Sequence, residues 1–202
     1  MFDDDDNRDR AQFFEAARQS AQREYEQDNT NAQALVRWGG ALLELAHYKQ
    51  GSESKEMIQQ AIVQLNKAIK IDPKRPEAHW CLGNAYTSLG FLQDEKEKAK
   101  EHFNEAATCF KSCQELEPGN ATYKKAIDMC NKAPDYYDEI QTHIKAEQLA
   151  GGAGGLGEGR SGAAASGSDF WWDVGGWLLL GTALVSVLLL SRTGGKPATS
   201  ST

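Results

Sequence analysis

The sequence predicts an all-α protein: antiparallel helix pairs, then a tether and a C-terminal transmembrane helix. Three observations predict this. Internal repetition comes first. ALVRWGGALLELAHY (Ala34 to Tyr48) and AIVQLNKAIKIDP (Ala61 to Pro73) recur as HWCLGNAYTSLG (His79 to Gly90) and AATCFKSCQELEP (Ala106 to Pro118). Gly39 aligns with Gly83, Ala61 with Ala106, Leu65 with Phe110 and Pro73 with Pro118, a period of 44 to 45 residues. The second observation is GGAGGLGEGRSGAAASGS, Gly151 to Ser168, whose small side chains offer almost nothing to bury against the entropy of ordering. The third is VGGWLLLGTALVSVLLLS, Val174 to Ser191, an uncharged run bounded by Asp173 and Arg192. It would rise roughly 27 Å as a helix, close to a thin bilayer core.

The elements follow in order. A first helix over about Arg10 to Gln27 places Ala17, Ala21 and Tyr25 on one face. Each repeat unit then reads as a helix carrying a small residue, a charged stretch, and a second helix whose Ala and large apolar residue are four apart. The glycine lets the second helix approach, and the alanine and its bulky neighbour interlock as a small-and-large pair. Pro73 and Pro118 end the second helices, because proline cannot continue the hydrogen-bond ladder. KQGSESKEMIQQ and QDEKEKAKEHFNE, between the paired helices, are rich in helix formers and predict longer helices or loops. A last helix, about Ala121 to Lys145, carries Tyr123, Ile127, Cys130, Tyr136, Tyr137 and Ile140 and reads as a terminal cap, as the first helix does.

Four domains are expected: 1-148, a cytosolic helical domain; 149-169, a flexible linker; 170-192, a transmembrane tail anchor; and 193-202, a short tail. Phe170, Trp171, Trp172 and Trp177 cluster at one end of the apolar run, where indoles favour the headgroup region. MFDDDDNRDR has neither the basic nor the apolar part of a secretory signal, so the bulk of the chain is expected on the cytosolic side. Arg192 and Lys196 after a short span suit the outer mitochondrial membrane, although the endoplasmic reticulum satisfies the same physics. Gly181, Ala183 and Ser186 are small enough to pack on other membrane helices, or are ordinary anchor composition.

Composition narrows the function. Residues 1 to 150 carry 26 acidic and 19 basic side chains, a net charge of −7, which disfavours a nucleic-acid partner and favours a positive one. Cys81, Cys109, Cys113 and Cys130 form no CxxC pair and suit buried thiols in a reducing compartment. His47, His79, His102 and His143 are not at ligand spacing, so neither metal nor cofactor is expected. No nucleophile elbow, phosphate loop or pocket-forming carboxylate pair is present, and catalysis is not expected.

The repeat resembles the tetratricopeptide family, whose signature Leu82, Gly83, Tyr86, Ala106, Phe110 and Pro118 match. The first unit matches less well, with Trp38, Gly39, Leu42 and Leu65 in the corresponding places, and both units exceed the family length by ten or eleven residues. Two overlong units behind an acidic N-terminus, then a Gly-rich tether and FWWDVGGWLLLG, resemble over nearly the whole chain the plant form of the presequence receptor of the outer mitochondrial membrane translocase. That resemblance implies binding of N-terminal targeting signals of precursor proteins, transfer to the channel, and contact with other translocase subunits.

A presequence is a basic amphipathic helix, and its receptor needs an apolar groove in acidic surroundings. Counting from the packing residues puts Val36, Gly40 and Leu43 of the first unit, and Trp80, Asn84 and Thr87 of the second, on the inner face of such a groove. Two readings of Trp80 stand, groove anchor or core edge; Gly40 is either a deliberate opening in the floor or incidental. Asp3 to Asp6 either steer a positive ligand or form a solvated terminus. The alternatives to an import receptor are tail-anchored adaptors, for chaperone docking or for organelle division. A chaperone clamp needs convergent Lys, Arg and Asn, and of those places only Asn84 holds a matching side chain. The division adaptor differs in recruiting a GTPase instead of precursors.

Overall fold

The structure, a computed structural model, describes residues 3 to 149. Its order is α1 (Asp3–Gln27), α2 (Ala32–Ala46), α3 (Gly51–Ile71), α4 (Pro76–Phe91), α5 (Lys96–Leu116) and α6 (Ala121–Leu149). The described residues are all-helical, as the sequence predicts. The linker, the anchor and the tail lie outside them. Among the described residues no helix is long and apolar enough to cross a membrane.

Local chemistry explains the boundaries. Asn31 caps α2, its Oδ1 accepting the Ala34 N–H at 3.0 Å and satisfying a donor that the first helical turn leaves open. Gly51 opens α3 at φ +57°, a conformation that costs a side-chain-free residue little. Pro76 opens α4, where its missing N–H removes no helical bond. α3 and α5 stop at Ile71 and Leu116, two residues before Pro73 and Pro118. The charged stretches between paired helices become helix: α3 and α5 each run 21 residues and start inside them. α1 begins at Asp3, earlier than the expected Arg10; acidic residues suit the positive end of a helix dipole, so the aspartate run does not stop it.

Each helix packs on its successor, and α2 also meets α4 while α4 meets α6. α2, α4 and α6 therefore form one row, and α1, α3 and α5 pack against its members. The two units interlock through glycine. A Cβ on Gly39 would stand 2.7 Å from Leu65 Cγ, and one on Gly83 only 2.5 Å from Phe110 Cε1. Leu65 and Phe110 are fully buried, as are Ala61 and Ala106. The structure adds a third pair: Phe103 of α5 sits where a Cβ on Gly90 would be, at 2.5 Å.

α6 carries Pro134 inside the helix, which removes one backbone bond there. Side chains beyond it hold the helix to the α4–α5 corner. Tyr137 Oη donates to the Gln93 carbonyl, Gln141 Nε2 donates to the Phe91 carbonyl at 2.8 Å, and Lys96 Nζ pairs with Asp138 at 2.8 Å. At its other end Tyr123 Oη donates to Glu117 Oε2 at 2.6 Å.

All four cysteines are free and buried. Burial, first of all, pushes the thiols of Cys81, Cys109 and Cys113 up to about 12 and that of Cys130 to about 11. Since the thiolate is the reactive form, the native chain is expected to react with Ellman's reagent on the order of 100-fold more slowly than the chain in 6 M guanidinium. A rapid single-thiol burst from the folded protein would contradict this packing.

Candidate peptide-binding face

α2 and α4 lie side by side, and the six residues expected to line a groove lie along them. Val36 is 4% exposed, Trp80 6% and Thr87 5%. Gly40 is also buried, whereas Leu43 and Asn84 keep part of their surface accessible. The structure thus divides the strip into a buried floor and two accessible side chains, one from each helix.

The buried members have identifiable neighbours. Trp80 packs on Phe110 of α5, ring centroids 5.0 Å apart, and on Tyr123 of α6 at 5.6 Å. Of the two readings of Trp80, this geometry places the indole within the core between helices. Thr87 Oγ1 donates to the Gly83 carbonyl at 2.9 Å and stands 3.8 Å from Cys130 Sγ of α6. Both side chains are therefore covered by the last helix, whose reach across α4 the repeat pattern did not reveal. Leu43 packs beside a cluster of Ala46, Ile58, Ala85 and Leu89, which ties α2 to α3 and α4.

Electrostatics distinguish this face further. Arg37 of α2 is paired with Glu24 of α1. Arg75, just before α4, donates to Asp72 at 3.1 Å and to Gln33 of α2. These nearby guanidinium groups are engaged with partners of their own, which gives a chaperone carboxylate little to bind. Glu44, one turn beyond Gly40, is 6% exposed, and burial raises its carboxyl to about 7. Sequence reading passed over it because ALLELA scans as a plain apolar helix end. The available signal was the spacing: Val36, Gly40 and Glu44 recur every four residues and share one face.

Antiparallel helix pairs stacked in series define a class, the helical-repeat proteins. Within that class, the sequence profile of the plant-specific mitochondrial import receptor subunit TOM20 matches residues 8–192, and the chain belongs to this family. Its relatives in Arabidopsis thaliana include mitochondrial import receptor subunit TOM20-3, 36% identical over 192 residues covering 91% of this chain and 92% of the relative. TOM20-2 is 35% identical over 194 residues, covering 92% of each chain. TOM20-1 reaches 40% over a shorter 129 residues, 64% of this chain and 69% of the relative. The protein is accordingly a mitochondrial import receptor, a non-enzymatic role. The adaptor alternatives give way to this assignment.

Proposed function

We propose that the chain is a tail-anchored receptor of the outer mitochondrial membrane whose helical domain captures the basic amphipathic presequences of precursor proteins. In this reading the two tetratricopeptide-like units face the cytosol and 149-169 is a flexible tether. Residues 170-192 cross the bilayer, leaving 193-202 in the intermembrane space. Other translocase subunits receive the precursor from it. The ligand helix lies along α2 and α4, over Val36 and Gly40, with Leu43 and Asn84 in contact; Trp80 and Thr87, covered by α6, support the strip from the core side.

The single observation that carries this reading is the α2/α4 strip itself. Gly40 leaves part of the floor without a side chain, and Leu43 and Asn84 remain partly accessible beside it. The net charge of −7 over residues 1 to 150 supplies the complementary field. Binding is expected to be weak and reversible, since a receptor that held its cargo tightly would release it too slowly to pass it on.

The test is an NMR titration of the full chain in lipid nanodiscs, following amide and methyl signals. A basic amphipathic presequence peptide is compared with a charge-matched scramble. Saturable shifts at Leu43, Asn84, Val36 and Gly40 for the first peptide alone are expected. Shifts confined to Asp3 to Asp6, or equal shifts for both peptides, would move the binding site elsewhere.

A further inference from the structure

Glu44 is the only charged side chain among the buried residues of α2. Among the described residues its carboxylate has no hydrogen-bond or ion-pair partner, and burial raises its pKa. An ionisable group kept out of water without a partner is costly, so proteins seldom retain one that only fills space.

Its surroundings point to the α2/α4 seam. The Cys81 thiol of α4 is raised chiefly by burial and further by the charges of Glu77 and Glu44, which brings the Glu44 carboxylate within electrostatic reach of α4. Gly40 lies one turn earlier on the same helix face and has no side chain to screen the approach. Glu44 keeps 6% of its surface accessible. The guanidinium groups of Arg37 on α2 and Arg75 before α4 have partners elsewhere, Arg37 in Glu24 and Arg75 in Asp72 and Gln33. Glu77, which shares the field at Cys81, adds a second negative charge to the seam.

We propose that Glu44 is the charge-recognising residue of the receptor: it takes the guanidinium or ammonium group of one Arg or Lys of the bound helix, which reaches it across Gly40. This rests on the presequence reading above and goes beyond it by assigning one carboxylate to one cation. The ligand chemistry fits the site. Lys and Arg carry long aliphatic stems that run over apolar surface while the charged head reaches a polar partner. A charge-assisted bond formed in a partly desolvated site is stronger than one at an exposed surface. A neutral amphipathic helix would leave the Glu44 carboxylate buried and unpaired, so the residue selects for basic helices and not merely for apolar ones.

The experiment uses the full chain in nanodiscs and a basic amphipathic presequence peptide, with each arginine replaced in turn by citrulline. Citrulline keeps the shape of arginine and loses its charge. Dissociation constants are measured for the wild type, for Glu44→Gln, and for Glu115→Gln on exposed α5 as a control. In the wild type one arginine position is expected to lose about 10-fold in affinity on becoming citrulline, the size of one charge-assisted bond. In Glu44→Gln that ratio is expected to fall to about 1 to 2, while Glu115→Gln keeps it near 10. An equal arginine-to-citrulline ratio in wild type and Glu44→Gln would overturn the assignment of Glu44 and leave presequence binding standing. If neither peptide binds any of the three proteins, the presequence reading falls, and this one with it.

Discussion

Phe110→Ala is expected to destabilise the helical domain by about 3–5 kcal/mol, the usual cost of emptying a buried aromatic site. Phe110 is fully buried, and its ring fills the space above Gly83, with Cε1 2.5 Å, Cζ 2.7 Å and Cδ1 2.9 Å from where a Cβ would stand. Gly83→Ala in the intact protein therefore forces α4 and α5 apart or bends the ring from its rotamer, at about 1–3 kcal/mol. The two substitutions are strongly coupled. In the Phe110→Ala background the new methyl enters the vacated space, so Gly83→Ala should cost close to nothing or recover stability. Urea unfolding of the four proteins yields the cycle directly. Additive losses would show that the glycine and the ring do not share one space. Because Phe110 also carries Trp80 on its face, at 5.0 Å, its loss should loosen the floor beneath α2 and α4 as well.

Glu44→Gln is expected to act in the opposite direction and to depend on pH. The carboxyl titrates at about 7 in the folded chain against an ordinary value of 4.5, so folding favours its protonated form. The stability associated with the neutral acid is fully present below pH 4.5 and is lost as pH rises through about 7. At pH 8 the wild type has forfeited up to about 3 kcal/mol, from the size of the shift and 1.36 kcal/mol per unit. Glutamine, neutral throughout, keeps that stability. Chemical denaturation at pH 4 and pH 8 should therefore show the variant nearly level with the wild type in acid and more stable in base. Parallel pH profiles would mean that the carboxylate is solvated or paired after all. A stabilising substitution at a residue assigned to ligand recognition is the expected sign of a site that gives up stability for binding.

Much of the architecture was legible from side-chain chemistry alone. The aligned Gly39 and Gly83, each answered by a large residue in the following helix, announced two hairpins of one design, and Leu65 and Phe110 occupy those contacts. The prolines marked the helix ends to within two residues. The length of α1 was underestimated because a run of aspartates scans as a terminus, although the same charges suit a first helical turn. The Gly90–Phe103 contact has Ala46 and Ile58 at the equivalent places of the first unit, a small-and-large pair without a glycine to signal it.

The groove residues show where such reading stops. Helical spacing put Val36, Gly40, Leu43, Trp80, Asn84 and Thr87 on one expected face, and all six lie in α2 or α4. Which of them stay accessible depends on what packs above them, and that is set by α6, whose Tyr123 and Cys130 lie over Trp80 and Thr87. Glu44 is the sharper case. A glutamate near the end of a helix looks solvated on sequence grounds, and only the tertiary packing buries it. The helix pairs, their interlocking small and large residues and the acidic balance were readable from the chain alone, because each depends on local spacing or composition. The tertiary structure alone decided which side chains α6 covers and which carboxylate is left without a partner, because burial and pairing are properties of helices far apart in sequence and adjacent in space.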